Sequence, residues 1–382
     1  MAGFHKTAET HTPGATTLPQ AYLVSPDIFA AERRRILARR WTCVAHHSEI
    51  PNPGDFVARD IAGESLLVVR GDDGDLRTFF NVCRHRGSRL TEAPGGTFRG
   101  AIRCPYHAWS YDLGGRLRGA PHMDDTPGFD KTQLPLITAR TEQWEGLIFV
   151  TLDESADPIT DAFAPLHGKF AAWNVPHLRV ARRIDYDVVA NWKLIFENYS
   201  ECYHCPGVHP ALARLTPYDQ AENDLHEGPF LGGFMPVRAG GSVTQSGTLC
   251  APPVGDLASG DLGRIYYYSI FPNLLLSLHP DYVMMHTLWP QSEARTRIRC
   301  EWLFHAGAFG RPDFHPEDAI EFWDVTNRQD WHVCEQSQLG ASSRAYRPGP
   351  YSPRESIAAA FDREYLRVME ETGDEPTRPS DR

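Results

Sequence analysis

The sequence has no excess of positive charge, because its 38 lysines and arginines are outnumbered by 49 acidic residues and the formal net charge is -11. Nucleic acids and anionic membranes bind basic surfaces, so neither is an expected partner. The sequence also lacks an apolar run of about 18 residues, and its first twenty residues contain no apolar signal core. We therefore expect a soluble, cytoplasmic protein.

A disulfide framework is also missing. The 8 cysteines are scattered along a chain of 382 residues, unlike the dense spacing of small secreted domains. Histidine, in contrast, is frequent: there are 17, and several lie within a few residues of a cysteine or of another histidine. Metal binding is therefore the first hypothesis.

The chain is predicted to contain two ordered domains between two poorly ordered ends. Residues 1–20 and 373–382 are rich in Thr, Pro and charge, which favours disorder. Residues 41–152 contain short β-like runs separated by turn signals such as Asp73-Gly74, which predicts a small antiparallel β-domain. Residues 21–40 and 153–372 are assigned to the second domain.

The second domain is predicted to be a layer of helices on an antiparallel sheet, so the fold class is α+β. Its first segment, 26–40, has Ser25 as a candidate N-cap and Pro26 at the first helical position, which predicts an amphipathic helix. Strands are predicted at 181–190, 263–276, 282–290 and 296–305.

The first candidate metal site combines two short motifs of the β-domain. Cys83-x-His85 is followed by Cys104-x-x-His107, so two loops together offer two thiolates and two imidazoles. A Rieske [2Fe–2S] cluster requires that set of ligands. A tetrahedral zinc ion is the alternative, although zinc fingers usually pair two cysteines and then two histidines. The order and spacing favour the Rieske cluster.

The second candidate site lies in residues 191–210. Glu197, Glu201 and His204 are spaced to share one face of a predicted helix. Pro206-Gly207 is expected to end that helix and to turn His209 back beside His204. Two neighbouring imidazoles need one carboxylate to complete a non-haem iron site with open positions for O2 and substrate.

That carboxylate is expected from a helix predicted over 316–339 and capped by Gly340. One inward stripe of this helix is predicted to contain Trp323, Asn327, Asp330 and Cys334. Asp330 is the preferred ligand because a buried carboxylate must be paired or bound to metal, with Asp324 and Glu335 as alternatives. Cys202 and Cys205 could form a redox or zinc pair, but packed thiols behind the ligand are favoured.

These motifs together resemble the Rieske non-haem iron oxygenases. The loops Cys83-Arg-His-Arg-Gly and Cys104-Pro-Tyr-His-Ala-Trp look like the family's cluster loops. Further matching features are Asn191-Trp-Lys, Glu197-Asn198, Tyr203-His204, His209, and the set Asp330, Glu335, Gln338 and Gly340. The resemblance covers about residues 20–365 and implies a Rieske domain, a helix-grip (START-like) catalytic domain and a homotrimer.

The resemblance also implies roles for individual residues. Cys83 and Cys104 would bind the inner iron of the cluster, and His85 and His107 the outer one. Glu201 would link His204 to His107 of the next subunit, although most family members have Asp at this position. Asn198 is expected near the open iron position, with helix packing as the alternative. Electrons are expected from NAD(P)H through a separate flavin and iron–sulfur reductase, since this sequence has no dinucleotide fingerprint.

The Glu-Cys-Tyr-His-Cys arrangement resembles the branch that oxidises quaternary ammonium compounds such as glycine betaine, stachydrine or carnitine. N-methyl hydroxylation with loss of formaldehyde is therefore expected, in an aromatic box for the cation. The candidates for that box are Tyr266, Tyr267, Tyr268, Phe271, Tyr282 and Trp289. Two alternatives stay open: hydroxylation or O-demethylation of an aromatic compound in an apolar pocket, and a Rieske protein that only carries electrons.

Overall fold

A computed structural model describes residues 3–238 and 240–371. These residues divide into two compact units: Arg33–Ala162, called here the β unit, and a sheet–helix unit that combines residues up to 32 with residues from 163 onward. The predicted flexible tail, 373–382, lies outside the described residues. None of the described helices is both long and apolar enough to cross a membrane.

The strands are numbered along the chain as β1 His5–Lys6, β2 Thr42–His46, β3 Asp55–Ile61, β4 Glu64–Arg70, β5 Leu76–Phe80, β6 Gly95–Thr97, β7 Ile102–Arg103, β8 Ser110–Tyr111, β9 Leu117–Gly119, β10 Thr138–Trp144, β11 Leu147–Thr151, β12 Leu178–Val188, β13 Glu222–Leu225, β14 Phe230–Pro236, β15 Arg264–Ile270, β16 Leu274–Leu278, β17 Val283–Ser292 and β18 Arg295–His305. The α-helices are α1 Ala21–Val24, α2 Pro26–Glu32, α3 Ile159–Ala162, α4 Trp192–Tyr199, α5 Cys205–Val208, α6 Pro210–Leu215, α7 Glu317–Ala341 and α8 Ser356–Glu370.

The β unit contains a seven-stranded antiparallel sheet in the order β2-β11-β10-β5-β4-β3-β6 and a three-stranded sheet β7-β8-β9. The β4–β5 hairpin follows from its sequence: four consecutive apolar residues of β4 are buried, and Gly74 supplies the positive φ that the turn requires. One core cluster includes Phe79, Trp109 and Tyr111 together with Cys83 and Cys104. The hydrophobic core of this unit therefore extends to the predicted cluster thiols.

The sheet–helix unit contains an eight-stranded antiparallel sheet in the order β1-β13-β14-β15-β16-β17-β18-β12. Helices α4, α7 and α8 contact strands of this sheet and α4 contacts both other helices. The predicted α+β class, with helices on an antiparallel sheet, is confirmed.

Two predictions for the N-terminal region need correction. Residues 1–20 were expected to be poorly ordered, but in the described part of this segment His5 and Lys6 pair with β13 and Thr7 donates a backbone hydrogen bond to Ala221. The sheet edge thus orders this segment. The helix predicted over 26–40 is α-helical only over Pro26–Glu32 and continues as a π-helical turn over Arg33–Leu37.

Two other boundaries also differ. The strand predicted over 263–276 is two strands, β15 and β16, because the chain turns at Phe271-Pro272 and proline cannot donate a ladder hydrogen bond. Gly340 does not end the long helix, since α7 continues to Ala341 and Ser342 is its C-cap.

Helix α4 is held in place by the motif residues Asn191 and Lys193. Asn191 caps α4 by accepting a hydrogen bond from the Lys193 N–H, and its own N–H donates to Gln338 of α7. The fully buried Lys193 ammonium lies 2.5 Å from Glu32, which also accepts a hydrogen bond from Trp192. This ion pair ties α4 to α2, which contains Glu32, whereas the Asn191–Gln338 hydrogen bond ties α4 to α7.

Glu197 of α4 and Asp362 of α8 are neighbouring acids, each with a buried carboxyl oxygen that has no hydrogen-bond donor among the described residues. Burial raises the pKa of Asp362 to about 7. Burial and the nearby Asp362 also raise the pKa of Glu197. Tyr351 donates a hydrogen bond of 2.7 Å to the other carboxyl oxygen of Asp362. Since two adjacent buried carboxylates repel each other, the pair shares a proton in the folded protein.

Replacing Asp362 with Asn should stabilise the protein at pH 8. The folded pKa exceeds the ordinary value of 3.8, so the contribution of this carboxyl group to stability is full below about pH 3.8 and is lost as the pH rises to about 7. The Asn amide mimics the neutral acid and does not titrate. At 1.36 kcal/mol per pKa unit, the free energy of unfolding should therefore rise by at most about 4 kcal/mol. Urea unfolding at a series of pH values measures this gain in the free energy of unfolding. The control is Asp256→Asn, which changes an exposed aspartate. If the stability of Asp362→Asn and that of the wild type changed in parallel with pH, the shared proton would be contradicted.

Candidate metal centres and substrate cavity

The four predicted cluster ligands lie on two loops of the β unit that are built in the same way. The Cys83 N–H donates to the Ser88 carbonyl at 2.8 Å, and the Cys104 N–H donates to the Trp109 carbonyl at 2.8 Å. Gly87 in the first loop and Ala108 in the second have positive φ. Each loop therefore turns back on itself directly after its cysteine.

This arrangement buries the thiols and leaves the imidazoles near the surface. Cys83 and Cys104 are each 2% exposed, whereas His107 is exposed and His85 is half-buried. The His85 and His107 ring centroids are 4.7 Å apart, and His85 stacks on Trp109. The Tyr111 hydroxyl lies 3.3 Å from the Cys83 sulfur. Burial raises the pKa of the Cys83 thiol, so a cation is needed to hold it as a thiolate.

The structure also brings His204, His209 and Asp330 together. One ligand atom from each lies within 4.8 Å of the others. Asp330 Oδ1 is 2.7 Å from His209 Nε2 and 3.3 Å from His204 Nε2. Both histidines thus direct Nε2 to the same carboxylate, which is the arrangement of a facial 2-His-1-carboxylate site.

The opposite nitrogen of each imidazole is held by a second residue. His204 Nδ1 is 2.5 Å from Glu201 Oε1, and His209 Nδ1 is 2.7 Å from Gln329 Oε1. Such partners fix the ring orientation and the tautomer of a metal-bound histidine. Burial lowers the pKa of His204, but hydrogen bonds with Asp330 and Glu201 outweigh that effect and raise it to about 10. A bound cation would replace this proton.

The local path to His204 differs from the predicted continuous helix. Helix α4 ends at Tyr199, and Pro206-Gly207 lies inside the short helix α5 instead of ending the first one. Glu201 explains the break, because its carboxylate accepts hydrogen bonds from the main-chain N–H groups of Tyr203 and His204 and so competes with helical hydrogen bonding. His209 nevertheless lies beside His204, with ring centroids 5.1 Å apart.

The alternative carboxylates have other partners. Asp324 accepts a hydrogen bond of 2.7 Å from the Tyr186 hydroxyl, and Glu335 accepts one of 3.1 Å from the Val189 N–H. The predicted stripe of α7 faces inward: Trp323, Asn327 and Cys334 are buried.

Cys202 and Cys205 form a disulfide, which corrects the expectation of packed thiols. Their Cα atoms are 5.0 Å apart, within the usual range for such a bond. The other six cysteines are buried and form no disulfide. The disulfide brackets Tyr203 and His204, so it closes the loop that presents one candidate ligand.

A cavity of about 430 Å³ in the sheet–helix unit contains the three candidate ligands in its lining. Asn198 and Glu201 also line it. Its aromatic lining comes from helices, strands and loops and consists of Tyr199, Tyr203, Tyr218, Phe234, Tyr267, Trp323 and Trp331. Sequence patterns did not indicate this set, since its members are far apart along the chain.

Of the residues predicted to form an aromatic box, only Tyr267 lines this cavity; Tyr266, Tyr268, Phe271, Tyr282 and Trp289 do not. Tyr266 and Tyr268 lie outside the cavity because neighbouring side chains of strand β15 point to opposite faces of the sheet, and Tyr267 is on the face that lines the cavity. Tyr268 packs on Phe170 and donates a hydrogen bond to Asp224. Tyr282 donates to the Val243 carbonyl, and Trp289 donates to Thr287.

The chain is similar to known families and proteins over most of its length. The model of the ring hydroxylating alpha subunit (catalytic domain) matches residues 176–371, and that of the Rieske [2Fe-2S] domain matches residues 40–131. The glycine betaine monooxygenase oxygenase subunit of Chromohalobacter salexigens is 32% identical, over 89% of this chain and 82% of the relative. The carnitine monooxygenase oxygenase subunit of Acinetobacter baumannii is 36% identical, over 87% of each chain. A solved quaternary ammonium Rieske monooxygenase superposes with a TM-score of 0.83, at 27% identity, over 97% of this chain and 100% of that one.

Proposed function

Because the chain belongs to the Rieske non-haem iron oxygenases as an oxygenase (alpha) subunit, we propose that it removes an N-methyl group from a quaternary ammonium compound of the glycine betaine or carnitine kind. As a member of this family it is an oxidoreductase that uses a Rieske cluster, a mononuclear iron and a separate reductase. We further propose that it works in the cytoplasm, where that reductase would draw electrons from NAD(P)H.

In this proposal the β unit binds the cluster and the sheet–helix unit binds the mononuclear iron. Cys83 and Cys104, both buried, suit the inner cluster iron, and the nearer-surface imidazoles of His85 and His107 suit the outer iron. His204, His209 and Asp330 supply two neutral nitrogens and one carboxylate, a donor set that fits Fe(II). When bound, this iron supplies the reductive activation of O2 that hydroxylates a methyl C–H bond.

The observation that carries the substrate proposal is the aromatic lining beside these ligands. A quaternary ammonium group cannot donate hydrogen bonds, so aromatic faces and nearby negative charge are its main means of recognition. The cavity offers both: seven aromatic side chains and the carboxylates of Glu201, Asp219 and Asp330. Lys6 and the Arg354 guanidinium, which stacks on Tyr218, add positive charge to the lining. That charge suits the carboxylate of a betaine.

Transfer of electrons between the two centres is proposed to occur across a subunit boundary in a homotrimer. Glu201 already contacts the His204 imidazole, and its neighbour Tyr203 is exposed. His107 of the β unit is exposed as well. A second contact from Glu201 to His107 of the next subunit would join the two iron sites through one carboxylate. Electrons pass between subunits in the solved relative with the TM-score of 0.83, which supports this part of the proposal.

A substrate panel tests the proposed function. With a flavin and iron–sulfur reductase, the purified protein should consume O2 and release equimolar formaldehyde with glycine betaine or carnitine, and not with simple aromatic acids. Iron and acid-labile sulfide should be present at about three irons per chain, against about two for a Rieske electron carrier. O2-dependent oxidation of an aromatic acid without a response to any betaine would overturn the substrate class.

A further inference from the structure

His286 of β17 is a buried histidine of the cavity that the proposed mechanism has not yet used. It is 1% exposed and belongs to the cavity lining. Its Nε2 lies 3.2 Å from Asn327 Oδ1, whereas its Nδ1 is buried and has no hydrogen-bond partner among the described residues. A buried polar atom without a partner is costly. Such an atom in a binding cavity points to a ligand group that satisfies it.

A chain of hydrogen bonds determines which nitrogen of His286 carries the proton. The Tyr186 hydroxyl donates to the Asp324 carboxylate at 2.7 Å, so its oxygen accepts from Asn327 Nδ2 at 3.3 Å. The amide oxygen of Asn327 therefore faces His286 and accepts from Nε2–H. The remaining nitrogen, Nδ1, carries a free lone pair. Burial lowers the pKa of His286 to about 4, which keeps the ring neutral near pH 7.

The carboxylates near the candidate ligands already accept hydrogen bonds within the site. Glu201 accepts from His204 and from main-chain N–H groups, and Asp330 contacts both histidines. The Tyr199 hydroxyl is paired with Ser277 at 2.8 Å. His286 Nδ1 is thus an acceptor that remains available for a substrate hydroxyl.

Hydroxylation of an N-methyl group creates such a hydroxyl. The product carries N⁺–CH2–OH, and its quaternary nitrogen has no proton to lose, so the hydroxyl is the acidic site. We propose that His286 Nδ1 accepts this hydroxyl proton and thereby releases formaldehyde. The O–H electron pair forms the second C–O bond, the C–N bond breaks, and its electrons remain on nitrogen as the lone pair of a tertiary amine. The imidazolium then returns its proton to solvent, and no oxidant or reductant is needed for this step.

This inference rests on the proposed N-demethylation, and single-turnover chemistry separates the two. Substrate labelled with ¹³C at the N-methyl groups is mixed with reduced protein and O2, quenched in acid at intervals, and analysed by NMR for substrate, N–CH2OH and formaldehyde. In His286→Phe we expect substrate loss within about threefold of wild type, formaldehyde release at least tenfold slower, and an N–CH2OH signal, because a general base typically contributes 10² or more.

Two further variants make the result specific. His286→Gln retains a polar side chain that can meet Asn327 but is not a base, so it should accumulate the same intermediate if His286→Phe fails to fold. His305→Gln removes an exposed histidine at the end of β18, outside the cavity lining, and should behave like wild type. Formaldehyde release that keeps pace with substrate loss in both His286 variants would overturn the role of His286. Absence of formaldehyde from the wild type itself would instead overturn the proposed function.

Discussion

The His204→Ala variant is expected to lose turnover and the mononuclear iron while it keeps the visible absorption of the Rieske cluster. His204 Nε2 is one of only two imidazole nitrogens beside Asp330, at 3.3 Å, in the candidate site. Loss of a residue that merely supports a ligand typically costs 10–100-fold in metal affinity or activity. Removing a ligand should therefore lower turnover by at least about 100-fold. Iron analysis, the cluster spectrum and formaldehyde release are the measurements.

A matched control uses His332→Ala, since His332 lies exposed on the same helix as Asp330 and outside the candidate site. This control should retain about three irons per chain and normal turnover. The cluster ligands are predicted to lie on the β unit alone. A His204→Ala protein that had lost its cluster colour would thus show that the ligands are divided wrongly between the two sites.

The cluster motif could be recognised from sequence because its chemistry is local. Cys83 and His85, like Cys104 and His107, are separated by one or two residues on a single turn, so spacing alone predicts a shared loop. The 2-His-1-carboxylate site was harder, since Asp330 lies more than a hundred residues from His209. An inward stripe on α7 still narrowed the choice of carboxylate, because helical periodicity is strong over a long helix.

The path between Glu197 and His204 was predicted wrongly for a physical reason. A period of 3.6 describes a helix only while its main-chain hydrogen bonds persist, and the Glu201 carboxylate takes up the N–H groups of Tyr203 and His204. Periodicity carries no information about such side-chain competition. Likewise, the spacing of Cys202 and Cys205 permits thiols, a metal pair or a disulfide, and only the folded loop distinguishes them.

The aromatic lining shows the limit of reading a cavity from one strand. Three consecutive tyrosines, Tyr266 to Tyr268, occupy β15, and alternation places only the middle one in the cavity. The sequence shows that this strand is rich in aromatic residues, but it does not show which face of the strand lines the cavity. Trp323 and Trp331 reach the same cavity from α7, so tertiary packing determines the recognition surface.

Glu201→Gln is expected to retain both iron centres but to slow electron transfer between them by at least about 100-fold. The Glu201 carboxylate has two acceptor oxygens: Oε1 meets His204 Nδ1, and Oε2 meets main-chain N–H groups. Each can accept a further hydrogen bond, as the proposed contact with His107 of the next subunit requires. An amide has one acceptor oxygen, an NH2 donor and no negative charge, so it cannot offer a separate carboxylate oxygen to each imidazole. Stopped-flow oxidation of the reduced cluster by O2 and substrate measures the step.

Two variants separate loss of the carboxylate from general damage. Glu201→Asp keeps a carboxylate on a shorter side chain and should recover much of the transfer rate. Glu227→Gln changes an exposed glutamate of the same unit and should leave the rate unchanged. Iron content must remain at about three per chain in all three proteins, so that a slow step reports coupling and not metal loss. If Glu201→Gln oxidised its cluster as fast as wild type, the electron path would not require this carboxylate, and the argument for a homotrimer from Glu201 and His107 would fail with it.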